Sequence, residues 1–308
     1  MTGGAGFIGR ALVAKLVSAG SLVDVLDNFS TGTPPRRQQG VTVFEADVSA
    51  ARMPHLADHY DVIYHLGSPC SVVQFREDPK HVTGTIDGFM NLIRLAEETG
   101  AKRIVYPSSG SVYGKAPVPS SESTLPEPVN LYGVTKRTLE MIASLYSPEL
   151  SILGLRIFAG YGPGERQKGN LASVVTLFLE KMLNGASPEI IGDGNQRRDF
   201  IYIDDIATAM LRAAEIQFNG IVNVGSGQSH SFNEIVQIIN AELGMNLRPV
   251  YFPKPRGYLE NTKADTKLMK SVLELTPLSL ESGVRKYVEV LRGPDGRDFW
   301  SPESTQDH

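Results

Sequence analysis

The first 160 or so residues alternate between short apolar runs and stretches with helical spacing, and few folds accept that order. "FIGRALVAKLVSAG", "HVTGTIDGFMNLIRLAEETG" and "LYGVTKRTLEMIASLY" carry apolar residues at three- and four-residue intervals. Around them lie the strand-like runs "SLVDVLD", "VTVFEADV", "YDVIYHLGS", "KRIVYPSS" and "SILGLRIF". Strands separated by helices form βαβ units, so the chain predicts an α/β fold: a doubly wound, mostly parallel sheet with helices on both faces. After about Tyr161, Gly- and Pro-containing loops become frequent, and helices such as "LASVVTLFLEKMLNG" and "SFNEIVQIINAELG" are separated by short extended pieces. This part reads as a smaller α/β lobe. "RDFIYIDDIATAMLRAA" reads as a strand and helix that return to the first lobe. The expected division is 1–162 plus about 197–222 for the first domain, and about 163–196 and 223–291 for the smaller lobe. A polar tail, 292–308, is expected to fray.

Composition excludes several classes of function. The chain has 308 residues, 41% apolar and 21% charged, with a net charge of −4. That balance gives no electrostatic case for nucleic acid or an anionic membrane. No apolar run is long enough to span a bilayer, and the glycine-rich start is not a signal peptide. The one cysteine, Cys70, forms no intramolecular disulfide, which fits a reducing, cytoplasmic setting.

"MTGGAGFIG" opens the chain on a turn of the G-x-G-x-x-G type, and Gly3, Gly6 and Gly9 also fit G-x-x-G-x-x-G. Glycines let a pyrophosphate lie against backbone N–H groups at a helix N-terminus, where the dipole favours negative charge. Glycine turns are common, so the motif alone decides little. Asp27, closing the next strand about twenty residues on, adds to it. A carboxylate there can accept both hydroxyls of an adenosine ribose and repels a 2′-phosphate, which favours NAD over NADP.

"LYGVTK" puts Tyr132 and Lys136 four apart, on one face of a predicted helix. A lysine ammonium near a phenol favours the phenolate, which would make tyrosine a usable base near neutral pH. An isolated Y-x-x-x-K is more often a surface pair. Here "YPSSGSVYG" ends a predicted parallel strand upstream, and ligands bind at the carboxyl ends of such strands. Ser108, Ser109 and Ser111 offer hydroxyls there.

Five features in order, "TGGAGFIG", "DNFSTG", "HLGS", "SSGSVYG" with "YGVTK", and "GDGNQRRDFIYIDD", resemble the extended short-chain dehydrogenases/reductases in their nucleotide-sugar epimerase/dehydratase branch. The resemblance runs to about Leu291 and implies a Rossmann-like first domain with NAD as cofactor. It implies that Tyr132 is the catalytic base and acid, that Lys136 binds the nicotinamide ribose and tunes Tyr132, and that Ser109 is the catalytic hydroxyl. Gly3, Gly6, Phe7, Ile8 and Gly9 match the pyrophosphate turn. Asp27, Asn28, Ser30, Thr31 and Gly32 match the adenosine end. Asp47 and Val48 match an adenine-contacting pair, and Leu66, Gly67 and Ser68 the stretch lining the cofactor. On the substrate side the resemblance implies Ser109, Ser111, Asn170 and Leu171, the diphosphate arginines Arg198 and Arg256, and Thr262 where epimerases gate bulk at the sugar C2 position. It also implies a homodimer through helices near 82–98 and 132–146. No metal ligands are expected.

The same resemblance discriminates within the branch. Sugar dehydratases carry an acid just before the "VYG" valine, and fucose-synthase-like enzymes a cysteine; here Gly110 and Ser111 stand instead. That favours simple C4 epimerisation of a UDP-sugar through a transient 4-keto species, with NAD regenerated each cycle, as in UDP-galactose 4-epimerases. Ala159, Thr85, Pro69 and Cys70 depart from the usual pattern. UDP-glucuronate, with Arg166 or Arg197 as carboxylate partner, is the alternative sugar. A dehydratase or 4-keto reductase and a non-catalytic NAD-binding sensor are the alternative functions. Sequences resembling this one usually have valine before "TGGAGFIG", so a first strand upstream of Met1, with a GTG codon read as a start, is a further expectation.

Overall fold

The computed structural model describes residues 1–34, 38–54, 56–146, 150–253 and 259–293. In the first lobe the chain runs α1 (Phe7–Ser18), β1 (Val23–Asp27), β2 (Val41–Glu45), β3 (Val62–Tyr64), α2 (Val72–Glu77), α3 (His81–Thr99), β4 (Arg103–Ser109), α4 (Leu131–Tyr146) and β5 (Ser151–Ile157). Between and after β5 and the smaller lobe follow β6 (Ala159–Tyr161), α5 (Val174–Leu183), β7 (Glu189–Ile191), β8 (Arg197–Arg198), β9 (Phe200–Tyr202), α6 (Ile203–Glu215) and β10 (Gly220–Val224). The chain closes with β11 (His230–Ser231), α7 (Phe232–Leu243), β12 (Val250–Phe252), α8 (Lys267–Val272) and α9 (Leu280–Arg292).

Strands β10, β5, β4 and β3 form a parallel sheet in that order, and β1 pairs parallel with β2. Residues 1–3 join the two pieces. Thr2 bridges Leu26 on one side and His65 on the other, its N–H donating to Tyr64 O at 2.9 Å. The place of a central first strand is thus taken by this short segment, and beyond it Asp24, Tyr60, Val62 and Leu95 line a small gap between β1 and β3. The period-two alternation of strands divides the core. Ile104 and Tyr106 of β4 pack with Phe89, Leu92 and Leu139 from α3 and α4. Val105 faces the other way, with Leu12 of α1 and Ile206 and Met210 of α6. A second core gathers Phe178 of α5, Ile235 of α7, Val284 of α9 and the β9 aromatics Phe200 and Tyr202.

The returning segment differs from the sequence expectation at both ends. Arg197 and Arg198 pair antiparallel with β11 of the smaller lobe, while β9 pairs parallel with β6. The smaller lobe was expected from 223 on, but β10 continues the main sheet to Val224, and Met269, Leu273 and Leu275 pack into the sheet's core. The last strand of the sheet needs apolar cover, and α8 supplies it.

Candidate active site

The glycine turn at the start of α1 is built by steric exclusion. Gly3 has φ +69°, and a side-chain carbon there would overlap the Leu66 backbone. One at Gly9 would overlap the Gly3 carbonyl oxygen. Asp27 ties the end of β1 to this turn: one carboxylate oxygen accepts the Ala5 N–H and the other the Phe29 N–H, each at 2.9 Å. Asn28 donates to Asp47 Oδ2 at 3.0 Å, and Asp47 also accepts from Ser49 N at 2.8 Å and Oγ at 2.6 Å. The Ser49 hydroxyl is the main reason its carboxyl lies below the usual range.

These residues face a groove of about 410 Å³. Of the positions expected to hold a cofactor, Gly3, Gly6, Asp27, Asn28, Ser30, Thr31, Asp47, Val48, Leu66, Gly67 and Ser68 line it. Phe7 does not: its ring is buried in the smaller lobe's core, and Ile8 packs between the two cores, so each can offer a ligand only backbone N–H. Gly9 and Gly32 serve by close backbone packing, Gly32 against Ala5 O.

Three observations fit NAD to this groove: a turn with no room for side chains, two carboxylates suited to ribose hydroxyls, and the buried Thr85 hydroxyl, which lines the groove with no hydrogen-bond partner among the described residues. Among those residues no cluster of three or more His, Cys, Asp or Glu side chains could hold a metal ion.

Tyr132 and Lys136, delivered by α4, are not among the groove's lining residues; both are buried next to Ser68 and Cys70, which line it. Asn130 caps this helix, its side-chain oxygen accepting the Gly133 N–H at 2.8 Å. Lys136 Nζ donates to Ser68 Oγ at 3.2 Å and Pro107 O at 3.0 Å, and lies 5.8 Å from the centre of the Tyr132 ring. The Ser109 hydroxyl accepts the Ser111 N–H at 3.1 Å and lies near enough to the Tyr132 phenol to favour its ionised form.

The expected lowering of the Tyr132 pKa by Lys136 is not what this geometry gives. Burial, then the nearby Cys70, pushes the phenol up, and only the Ser109 hydroxyl opposes them. Burial also pulls Lys136 down to about 8, with Cys70 opposing. Desolvation of each buried group is the largest cause of its shift.

On the smaller lobe, Arg198 Nη1 donates to Arg197 O at 2.8 Å, with its guanidinium 5.8 Å from the Phe232 ring centre. Arg197, an alternative carboxylate partner by sequence, is committed elsewhere: it makes two bonds to Glu234, at 2.9 and 3.0 Å, and two to Ser229 O. The Thr262 hydroxyl accepts from Asp199 N at 3.3 Å, so it braces the β8–β9 corner. Asn170 and Leu171 end a short 3-10 segment, Arg166–Leu171. Arg256 lies outside the described residues.

Sequence reading missed the contacts this segment makes with the glycine turn. Gln167 Nε2 donates to Ala5 O at 3.3 Å, and Lys168, paired with Glu165 at 3.0 Å, lies 4.3 Å over the Phe7 ring. No local pattern signals them, because the partners are about 160 residues apart.

A tyrosine and a lysine one helical turn apart, buried beside a dinucleotide-sized groove, is the arrangement of the short-chain dehydrogenases/reductases, here in an extended, two-lobed form. Residues 1–225 match the family model described as "NAD dependent epimerase/dehydratase family". The chain belongs to that family and is an NAD-dependent enzyme of the Rossmann fold. It is 32% identical over 306 residues to a UDP-glucose 4-epimerase of Mycolicibacterium smegmatis, covering 95% of this chain and 97% of that one. It is 30% identical over 316 residues to a UDP-N-acetyl-alpha-D-glucosaminuronate decarboxylase of Bacillus cytotoxicus, with the same coverage. Among solved structures, a UDP-glucose 4-epimerase of Thermotoga maritima with UDP-glucose matches at a TM-score of 0.86 and 30% identity, covering 94% of this chain and 97% of that one.

Proposed function

We propose that this chain interconverts the C4 epimers of a UDP-sugar, either UDP-glucose and UDP-galactose or the N-acetylated pair. The observation that carries this reading is a Ser109–Tyr132–Lys136 set with Gly110 and Ser111, neither an acid, in the two positions before Val112. A side-chain carbon at Gly110 would stand 3.1 Å from the Phe158 ring, so a carboxylate there needs the ring to move. Ser111, next to it, is no carboxylate either. Elimination of water needs an additional acid or base; epimerisation does not.

NAD held in the groove would supply the hydride acceptor and donor for C4 and a positive charge beside Tyr132. Tyr132 takes the proton of the sugar 4-hydroxyl and returns it, Ser109 orients that oxygen, and Lys136, fixed by Ser68 and Pro107, holds the ribose side. Gly3, Gly6 and Gly9, with the N–H groups of Phe7 and Ile8, receive the pyrophosphate. Asp27, Asn28, Ser30, Thr31, Gly32, Asp47 and Val48 hold the adenosine end, and Leu66, Gly67 and Ser68 line its path. Arg198, Asn170 and Leu171 receive the UDP moiety, a guanidinium fork suiting phosphate oxygens. The first lobe and the lobe containing α5 and α7 correspond to cofactor and substrate.

The reading includes a homodimer, which the exposed apolar stripe on α4 supports, and a cytoplasmic setting. Among the described residues no helix is long and apolar enough to cross a membrane, and the Cys70 thiol is free and exposed.

The test is to incubate the protein separately with UDP-galactose, UDP-N-acetylgalactosamine and UDP-galacturonate, without and then with added NAD, and to follow C4 epimers by NMR. Conversion of one of the first two supports the reading. Conversion of UDP-galacturonate alone replaces the sugar, and no conversion by folded, NAD-loaded protein overturns the reaction.

A further inference from the structure

Glu140 lies one turn beyond Lys136, on the face of α4 that also carries Tyr132. Its carboxylate is almost wholly buried and accepts four hydrogen bonds: from Arg156 Nε at 2.8 Å and Nη2 at 2.7 Å, from Arg137 Nη1 at 3.0 Å, and from Ser108 Oγ at 2.5 Å. The donors fix three elements to one point. Arg137 belongs to α4 itself, Ser108 to the tip of β4, and Arg156 to β5, where it stands opposite Ser108 in the strand register. Ser109 is the next residue on β4.

A buried ion pair is a poor device for stability, since apolar packing of the same volume often serves as well. It is a good device for distance. Four directional bonds fix the spacing of a helix and a strand tip more narrowly than sliding apolar contacts do. The spacing fixed here is the one between the helix that carries Tyr132 and Lys136 and the strand that carries Ser109.

We infer that Glu140, through Ser108 and Arg156, is a positioning residue that sets the spacing between Tyr132 on α4 and Ser109 on β4. This rests on the reading of Tyr132 and Ser109 as the proton-handling pair. Proton transfer needs heavy atoms within about 2.6–3.2 Å, and a shift near 1 Å can cost about a hundredfold. Among the described residues, the titratable groups near Tyr132 are Cys70 on the loop before α2 and Lys136 on the same helix, 5.8 Å from the ring centre, with the Ser109 hydroxyl on β4. Of these, Ser109 favours the phenolate, so loosening it raises the tyrosine's pKa.

The variant of choice is Ser108→Ala, which removes one donor and keeps the ion pair; Glu140→Gln and the hydroxyl-retaining Ser108→Thr accompany it. For Ser108→Ala, kcat is expected to fall about tenfold with KM and retained NAD unchanged. The acidic limb of the pH–kcat profile should move to higher pH, and Ser108→Thr should restore both. Tyrosinate absorbance of the NAD-loaded protein, referenced to Tyr132→Phe, gives the same titration without any sugar, so it reads the positioning even if the epimerase reading fails. Lower thermal stability in Ser108→Ala and Glu140→Gln with an unchanged pH profile and unchanged Tyr132 titration would mean that the cluster only supports the fold, and would overturn the inference.

Discussion

At the scale of single residues, the spacing of Tyr132 and Lys136 and the serines closing β4 were legible because helical periodicity and strand-end chemistry are local. Their protonation was not, because it depends on burial that only the folded chain creates. Under the proposed chemistry, Tyr132→Phe should lower kcat about a hundred- to ten-thousand-fold while the protein still retains NAD; turnover and bound-cofactor assays together check this. His65 gives a second prediction. It is buried beside β4, its Nδ1 2.9 Å from Thr2 Oγ1. Burial foremost, then the charge of Lys136, holds its pKa down to about 3. The unfolded chain takes up this proton near pH 6.5 and the folded chain does not until about 3. Stability from this residue is therefore intact above about pH 6.5 and falls as pH drops from there towards 3, by up to about 1.4 kcal/mol per unit. Melting temperatures from pH 8 to 4 should fall less steeply in His65→Leu than in the parent; parallel curves would refute it.

At the scale of elements, the long periodic helices and the valine- and isoleucine-rich strands followed from pattern alone. Pieces such as β8, β11 and β12 did not, being two or three residues long and held by partners distant in sequence. The same limit explains α8. Its sequence reads like any short amphipathic helix, and only the uncovered edge at β10 decides that it joins the first lobe. One pattern on α4 remains unpartnered in the monomer. Leu131, Val134, Met141 and Leu145 are 43, 44, 57 and 80% exposed and fall at three-, seven- and four-residue steps, on the side away from Glu140. Apolar stripes of this length mark protein contacts. Light scattering should give a dimeric mass for the wild-type chain and a monomeric one for Met141→Lys/Leu145→Lys. A monomeric wild type, or a double variant that stays dimeric, would remove α4 as the interface.

At the scale of the whole molecule, the two lobes meet on the cofactor turn itself. Phe7 starts α1 in the first lobe yet buries its ring among Tyr161, Val175 and Phe178 of the other core. Lys168 covers that ring, and Gln167 reaches the Ala5 carbonyl in the middle of the turn. Segment 166–171 thus braces the turn on which the proposed cofactor's pyrophosphate would lie, although none of its residues lines the groove. Under the proposed epimerisation, retention of NAD through repeated turnovers is expected to depend in part on these contacts. Gln167→Ala/Lys168→Met removes both contacts and touches none of the groups assigned to the sugar's proton transfer. Loss of NAD from the purified protein, followed by cofactor fluorescence after dilution or gel filtration, should quicken several-fold, while turnover with saturating NAD stays near the parent's. A ligand that orders the smaller lobe, such as UDP, should slow NAD loss in the parent and do so less in the double variant. Equal NAD loss from parent and variant, with and without UDP, would show that the cofactor is held by the first lobe alone.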